Sequence, residues 1–167
     1  MADRRRVSDA DRTEAVQGHP DSFLPRRRHA SVGRPLRIIP EEDICAAVFR
    51  YQLQQPLADQ PQPPRYYLAL QGHDACENLL SRLRDLTPYV QPLSQCRVSA
   101  RDGVTDRATG ARGVIVQVAR LAWVHATAVD VVGGYYITHR HAAGLRYRAV
   151  SERSRWRVAT VHILWRV

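Results

Sequence analysis

With 167 residues, 44% of them hydrophobic, the chain has the size of one domain with room for a tail. No stretch approaches 18 consecutive apolar residues and no apolar segment follows the N-terminal arginines, so neither a transmembrane helix nor a secretory signal is expected. Cys45, Cys76 and Cys96 lie far apart without a CxxC pair, which excludes a disulfide framework and predicts a reducing, cytoplasmic setting.

The net charge of +9 is built without lysine, since all 25 basic residues are arginine. GC-rich coding accounts for such a bias as readily as an anionic partner does. The charge is uneven. Residues 1–40 hold nine arginines against five acids, residues 41–100 five against seven, and residues 101–167 eleven against four. The basic excess therefore lies in the N-terminal segment and the C-terminal half.

Residues 1–39 mix charge with Ser, Gly and Pro and keep no period, so they are expected to be disordered or loosely attached. The ordered domain is expected over 40–167. Pro40 and the acids Glu41, Glu42 and Asp43 suit the first turn of a helix. An apolar stripe of Ile44, Ala47, Val48 and Tyr51 follows, with Phe49 beside it. Pro56 ends that helix, and a proline-rich connection leads to a strand at RYYLALQG.

Asp74 and Glu77 have capping-box spacing. They predict a second helix that carries Cys76, Leu79, Leu80, Leu83 and Leu86 on its buried face and stops near Pro88. YVQPLSQCRV reads as an edge or bent strand because of Pro92. ARDGVTDRATGARG reads as a polar connection. Four strands then follow with short turns: VIVQVARLAWV, ATAVDVVGGYYIT, GLRYRAVSE and RWRVATVHILWRV. The fold class predicted is α+β, two helices packed on a strongly bent, mainly antiparallel sheet of about 5–6 strands.

Period-two alternation assigns faces. Val129, Val131, Tyr135 and Ile137 share one face, as do Leu145, Tyr147 and Ala149, and as do Ala159, Val161, Ile163 and Trp165. The other face mixes Arg146, Arg148, His162 and Asp130 with aliphatics. Gly133-Gly134, in mid-strand, predicts a bend that wraps the sheet around the helices and leaves a concave surface.

The chain resembles a bacterial family without an assigned activity. The likeness rests on AVFRYQ (Ala47 to Gln52), on YYLAL with the leucine-rich helix behind it (Tyr66 to Leu86), and on the TG-x-RG turn Thr109 to Gly113. It continues through GGYY (Gly133 to Tyr136), Gly144, Tyr147 and the closing Trp156, Val158 and Trp165. The C-terminal half is also similar to nuclear-transport-factor-like (cystatin-like) α+β domains, although a strand between the helices departs from their order. This resemblance implies a bent sheet around helices and assigns no catalytic residue.

Several constellations carry chemistry. The leading reading is a non-enzymatic binding domain whose concave sheet, lined by Trp123, Tyr136, Trp156 and His162, takes a small ligand or a protein partner. A nucleic-acid-binding module is the alternative, with Arg146, Arg148, Arg155 and Arg157 on phosphates and aromatics stacking on bases. A small enzyme is the third reading, through Cys96 with His162 or His125, or an Asp130–His162 pair. His139 and His141 have His-x-His spacing, a weak metal option needing His125, His162 or Asp130 as a third ligand. No glycine-rich phosphate loop and no GxSxG occur, so no cofactor is expected.

Overall fold

Helix α1 spans Glu41–Gln54, its first turn occupied by Glu41, Glu42 and Asp43, whose charges oppose the positive end of the helix dipole. Its buried face is Ile44, Cys45, Val48, Phe49 and Gln52, with Ala46 beside them. The stripe is thus turned by one position from the predicted Ile44–Ala47–Val48–Tyr51, which brings a polar residue, Gln52, to the inner side. The computed structural model describes residues 41–55, 65–86 and 89–167. The arginine-rich segment 1–39, Pro40, the proline-rich connection from Pro56 to residue 64, and Pro88 lie outside them.

Over the described residues the protein is α+β, with two helices on a mixed, mostly antiparallel sheet of seven strands. Strand β1 (Arg65–Leu70) is followed by β2 (His73–Asp74), helix α2 (Glu77–Ser81) and β3 (Val90–Pro92). A 3-10 turn (Leu93–Gln95) then leads to β4 (Cys96–Ser99) and β5 (Gly103–Asp106). The long strands β6 (Gly113–His125), β7 (Ala128–Thr138), β8 (His141–Glu152) and β9 (Arg155–Arg166) complete the chain. The order is β2-β1-β6-β7-β8-β9, with β3 also on β1. Strands β6 to β9 form the expected antiparallel meander, whereas β1 runs parallel to both β6 and β3. The segment between β1 and β6 allows this, because it is long enough for a crossover.

Three expectations change here. Asp74 does not cap α2. It pairs with Ala69 as part of β2, and its carboxylate accepts the Ser94 N–H at 2.6 Å, tying β2 to the 3-10 turn. The cap position falls to Cys76, without a side-chain bond, and α2 is only five residues long before turns take over. Cys76 is exposed, with Sγ 3.7 Å from Glu42 Oε1, whereas Cys45 and Cys96 are buried. The predicted YVQPLSQCRV strand is broken by the 3-10 turn, and the polar connection after it contains β5, which pairs with β4 as a separate two-stranded sheet.

The small sheet explains the burial of β1. Tyr66 and Leu68 face the helix-side core with Val114, Val116 and Val118, while Tyr67 and Ala69 face a second cluster with Cys96, Val104, Ile115 and Tyr136. Asp106, 5% exposed, anchors this second layer. It accepts Tyr67 Oη at 2.7 Å, the Ala108 and Thr109 N–H groups at 3.1 and 2.8 Å, and Thr109 Oγ1 at 2.9 Å. Arg65 lies 3.5 Å away. The Tyr67 bond is the first cause that pulls the Asp106 carboxyl down to about 2.

The four long strands carry five register shifts, each with one extra residue: Ala119 and Val124 in β6, Ile137 in β7, Ala159 and Leu164 in β9. Every bulge reverses which face the following side chains take. In β9 strict alternation therefore fails. Val158, Val161, Ile163 and Arg166 pair across from Ala149, Tyr147, Leu145 and Ala143 on the helix side. Ala159 is the bulged residue, and Trp165 lies opposite, over Gly144. Alternation holds as predicted in β8 and for Val129, Val131 and Tyr135 in β7.

Candidate functional site

Read across the sheet, the pairings stack helix-side residues into rows. One row is Val116, Tyr135, Ala143 and Arg166; the next is Val118, Gly133, Leu145 and Ile163; the third is Leu121, Val131, Tyr147 and Val161. Large side chains thus surround two small ones, Gly133 and Ala143. The C-terminal turn of α1 packs over these rows through Gln52.

Gly133 and Gly134 are needed for contact rather than for a turn. A Cβ on Gly133 would overlap the carbonyl oxygen of Gln117, and one on Gly134 would overlap that of Ala143. Gly134 also adopts φ +153, a conformation rare for residues with a side chain. The neighbouring backbones close in on β7 here, and Gln52 reaches down from α1. Its Nε2 lies 3.3 Å from Gln117 O, 3.4 Å from Gly134 O and 2.8 Å from Tyr147 Oη. Gln52 is 8% exposed, and its Oε1 has no hydrogen-bond partner among the described residues. Such an orphan acceptor is uncommon in a folded protein and costs about 1–3 kcal/mol. Tyr147 packs edge-on against Tyr51, ring centroids 6.0 Å apart, and burial raises its hydroxyl pKa.

Beside this polar pair lies a cavity of about 430 Å³. Tyr51 and Gln52 of α1 and Gln55 just after it form its roof, and Tyr66, Val114, Val116, Tyr135, Leu145 and Tyr147 its walls. Ile137, His141, Val161, Ile163, Arg166 and Val167 complete the lining. The volume falls in the range of about 300–1,000 Å³ typical of small-molecule sites, and the mix of many apolar groups with few polar ones is also typical.

The residues predicted to line the concave face separate. Trp123 and Trp156 meet edge-on, centroids 5.8 Å apart, Trp123 in the row of Val129 and Ala149 and Trp156 opposite Ser151 beyond it. Trp123 remains 45% exposed. Tyr136 points to the opposite face, in the cluster with Tyr67 and Cys96. His162 is exposed on that opposite face too, paired with Arg146. None of the four lines the cavity.

Of the arginines proposed for phosphate contact, two are already engaged. Arg148 binds Asp130 through two bonds, Nε to Oδ1 at 2.5 Å and Nη2 to Oδ2 at 3.1 Å. Arg157 holds Glu152, with Nε 2.9 Å from Oε2 and a second, shorter contact from Nη2 to Oε1. Arg146 and Arg155 make no ion pair among the described residues. A phosphate would have to displace two carboxylates to use all four.

The enzymatic pairings fare similarly. Burial pushes the Cys96 thiol up to about 11, and no described hydrogen bond joins it to His125 or His162. The Asp130 carboxyl is held below its usual range first by Arg148, not by His162. His139 occupies the two-residue turn between β7 and β8, while His141 begins β8, so the two do not share a strand face. Among the described residues no three His, Cys, Asp or Glu side chains cluster as a metal site. No helix among them is long and apolar enough to cross a membrane.

Gln52 and Tyr147 were missed as a site because each reads as core or surface in isolation. A signal did exist for Gln52. It lies four residues after Val48 and eight after Ile44, which puts a polar group on an otherwise apolar helix face. Arg166 was concealed by the two bulges of β9. No family model matches the chain, and neither the curated proteins nor the solved structures give a match.

Proposed function

We propose that this protein is a binding module for a small, mostly apolar ligand, held in the cavity between α1 and the concave face of a bent sheet. The observation that carries the reading is the polar pair at the cavity wall. A buried glutamine fastens α1 to the sheet at the glycine pinch and leaves one acceptor unsatisfied beside about 430 Å³ of tyrosine- and aliphatic-lined space. Hydrophobic burial supplies affinity in such a site, and a few polar groups fix orientation. Because Gln52 Nε2 donates to the Tyr147 oxygen, the Tyr147 hydroxyl keeps its own hydrogen for a further acceptor.

The ordinary expectation for a solvated sheet face is a dry, filled contact with the helix. Here helix and sheet instead leave about 430 Å³ between them, lined by Tyr51, Tyr66, Tyr135, Leu145 and Tyr147. The test uses N-phenyl-1-naphthylamine, an uncharged probe whose fluorescence rises in apolar sites. It should bind the full chain, and Leu145→Trp, which fills the cavity from its wall, should abolish binding while far-UV circular dichroism stays unchanged. Absence of binding, or binding untouched by Leu145→Trp, overturns the reading.

A further inference from the structure

The lining of the same cavity includes two nitrogen-bearing side chains from strand ends, His141 and Arg166. His141 begins β8 and Arg166 closes β9, and the Ala143–Arg166 pairing places both side chains on the helix-bearing face. They stand in a diagonal relation on adjacent strands, which separates Cα atoms by roughly 7–8 Å. A single carboxylate or sulfonate spans that gap. His141 Nδ1 lies 3.3 Å from Thr138 Oγ1, so Nε2 is the ring nitrogen that remains for a ligand.

Two further observations bear on the sign of the ligand's charge. Arg50, Arg65, Arg82, Arg84, Arg148 and Arg157 each hold a carboxylate, whereas Arg166 has no ion-pair partner among the described residues. None of the described residues that line the cavity is acidic. A cation at the lip of a low-dielectric pocket, with no acidic side chain in the described lining, attracts a negatively charged group and repels a positive one.

We infer that the ligand carries one anionic oxygen group at the end of an apolar body, with Arg166 and His141 setting that specificity. The inference rests on the binding reading above. In the bound state the apolar body occupies the space between Tyr51, Tyr66, Tyr135 and Tyr147, and the anionic head meets Arg166 in a charge-assisted hydrogen bond at the rim.

The experiment compares two probes with the same arylaminonaphthalene body, 1-anilinonaphthalene-8-sulfonate and uncharged N-phenyl-1-naphthylamine, titrated into the full-length protein. The sulfonate is expected to bind about fivefold more tightly at low salt, a modest factor because Arg166 is partly in water. Raising the salt from 50 to 500 mM should erase most of that advantage. Arg166→Gln should remove it, Arg166→Lys should keep part of it, and neither should weaken the neutral probe more than about twofold. Arg166 is exposed at the end of an edge strand, so both variants should fold.

If both probes bind, are excluded by Leu145→Trp, and show equal affinities that Arg166→Gln does not change, the charge inference is overturned and the binding reading stands. If neither probe binds, or Leu145→Trp excludes neither, the binding reading falls and the inference falls with it.

Discussion

Gln52 Nε2 donates to Tyr147 Oη at 2.8 Å, joining residues 95 positions apart in the chain. The bond crosses from the last turn of α1 to the middle of β8. The same nitrogen lies near the carbonyls of Gln117 and Gly134, where β6 and β7 are pinched together. One side chain thus links the helix to three strands.

Tyr147→Phe removes one acceptor of that nitrogen and leaves two, so it should cost about 0.5–1.5 kcal/mol. Gln52→Ala leaves two buried carbonyls without their donor and enlarges the cavity, and should cost about 2–4 kcal/mol. The double variant should lose less than the two single losses combined, because the shared bond can be broken only once. Urea unfolding of the four proteins measures this. Strict additivity would mean that the bond carries no coupling.

Gly133→Ala places a methyl group against the Gln117 carbonyl and the Val118 Cα, all β6 backbone, with no flexible side chain to move. The expected loss is about 3 kcal/mol or more, up to failure to fold. Gly110→Ala is the contrast. Its added Cβ meets nothing within 4 Å, and only the positive φ of +71 opposes it, so the cost should be about 1 kcal/mol. Equal losses at the two sites, measured by thermal unfolding, would remove the close-approach explanation.

Asp106 should govern the acid limit of stability. Its folded pKa of about 2 lies below the ordinary aspartate value near 3.9, so the unfolded chain takes up the proton first as pH falls. The contribution is complete above about pH 4 and is lost between about pH 4 and 2. Asp106→Asn should lower stability at pH 7 and flatten the pH dependence across that window. Tyr67→Phe removes the largest cause of the shift, so it should do the same in part and cost about 1–3 kcal/mol at neutral pH. Equilibrium unfolding followed from pH 7 to pH 2 gives both results.

The thiols should divide one to two. Cys76 is exposed and should react with a disulfide reagent within minutes in the native protein. Burial pushes Cys45 up to about 12 and Cys96 up to about 11, so both are protonated as well as enclosed. They should react only after denaturant is added. Three fast thiols in native buffer would show that the core around α1 and β4 opens readily.

The amino-acid sequence by itself determined the type of α1 and of the four long strands, and much of the facing. The acids at 41–43, the apolar period of α1 and the alternation in β7 and β8 are local properties, set by helical and strand geometry over a few residues. It also marked Gly133-Gly134 as a place where the strand must do something unusual. What the tertiary structure decided was everything that depends on register. Bulges at Ala159 and Leu164 moved Val158 and Arg166 onto the face of Val161 and Ile163 and Trp165 off it, and no local pattern announces where an extra residue will be inserted. Pairing with β4 turned a polar loop into a strand around Asp106, and pairing with β1 took Asp74 away from its helix. The site itself arises where Gln52 and Tyr51 of α1 meet side chains from β1, β6, β7, β8 and β9. Convergence of that kind is a property of packing across long chain separations, and it appears only once the strands are in register.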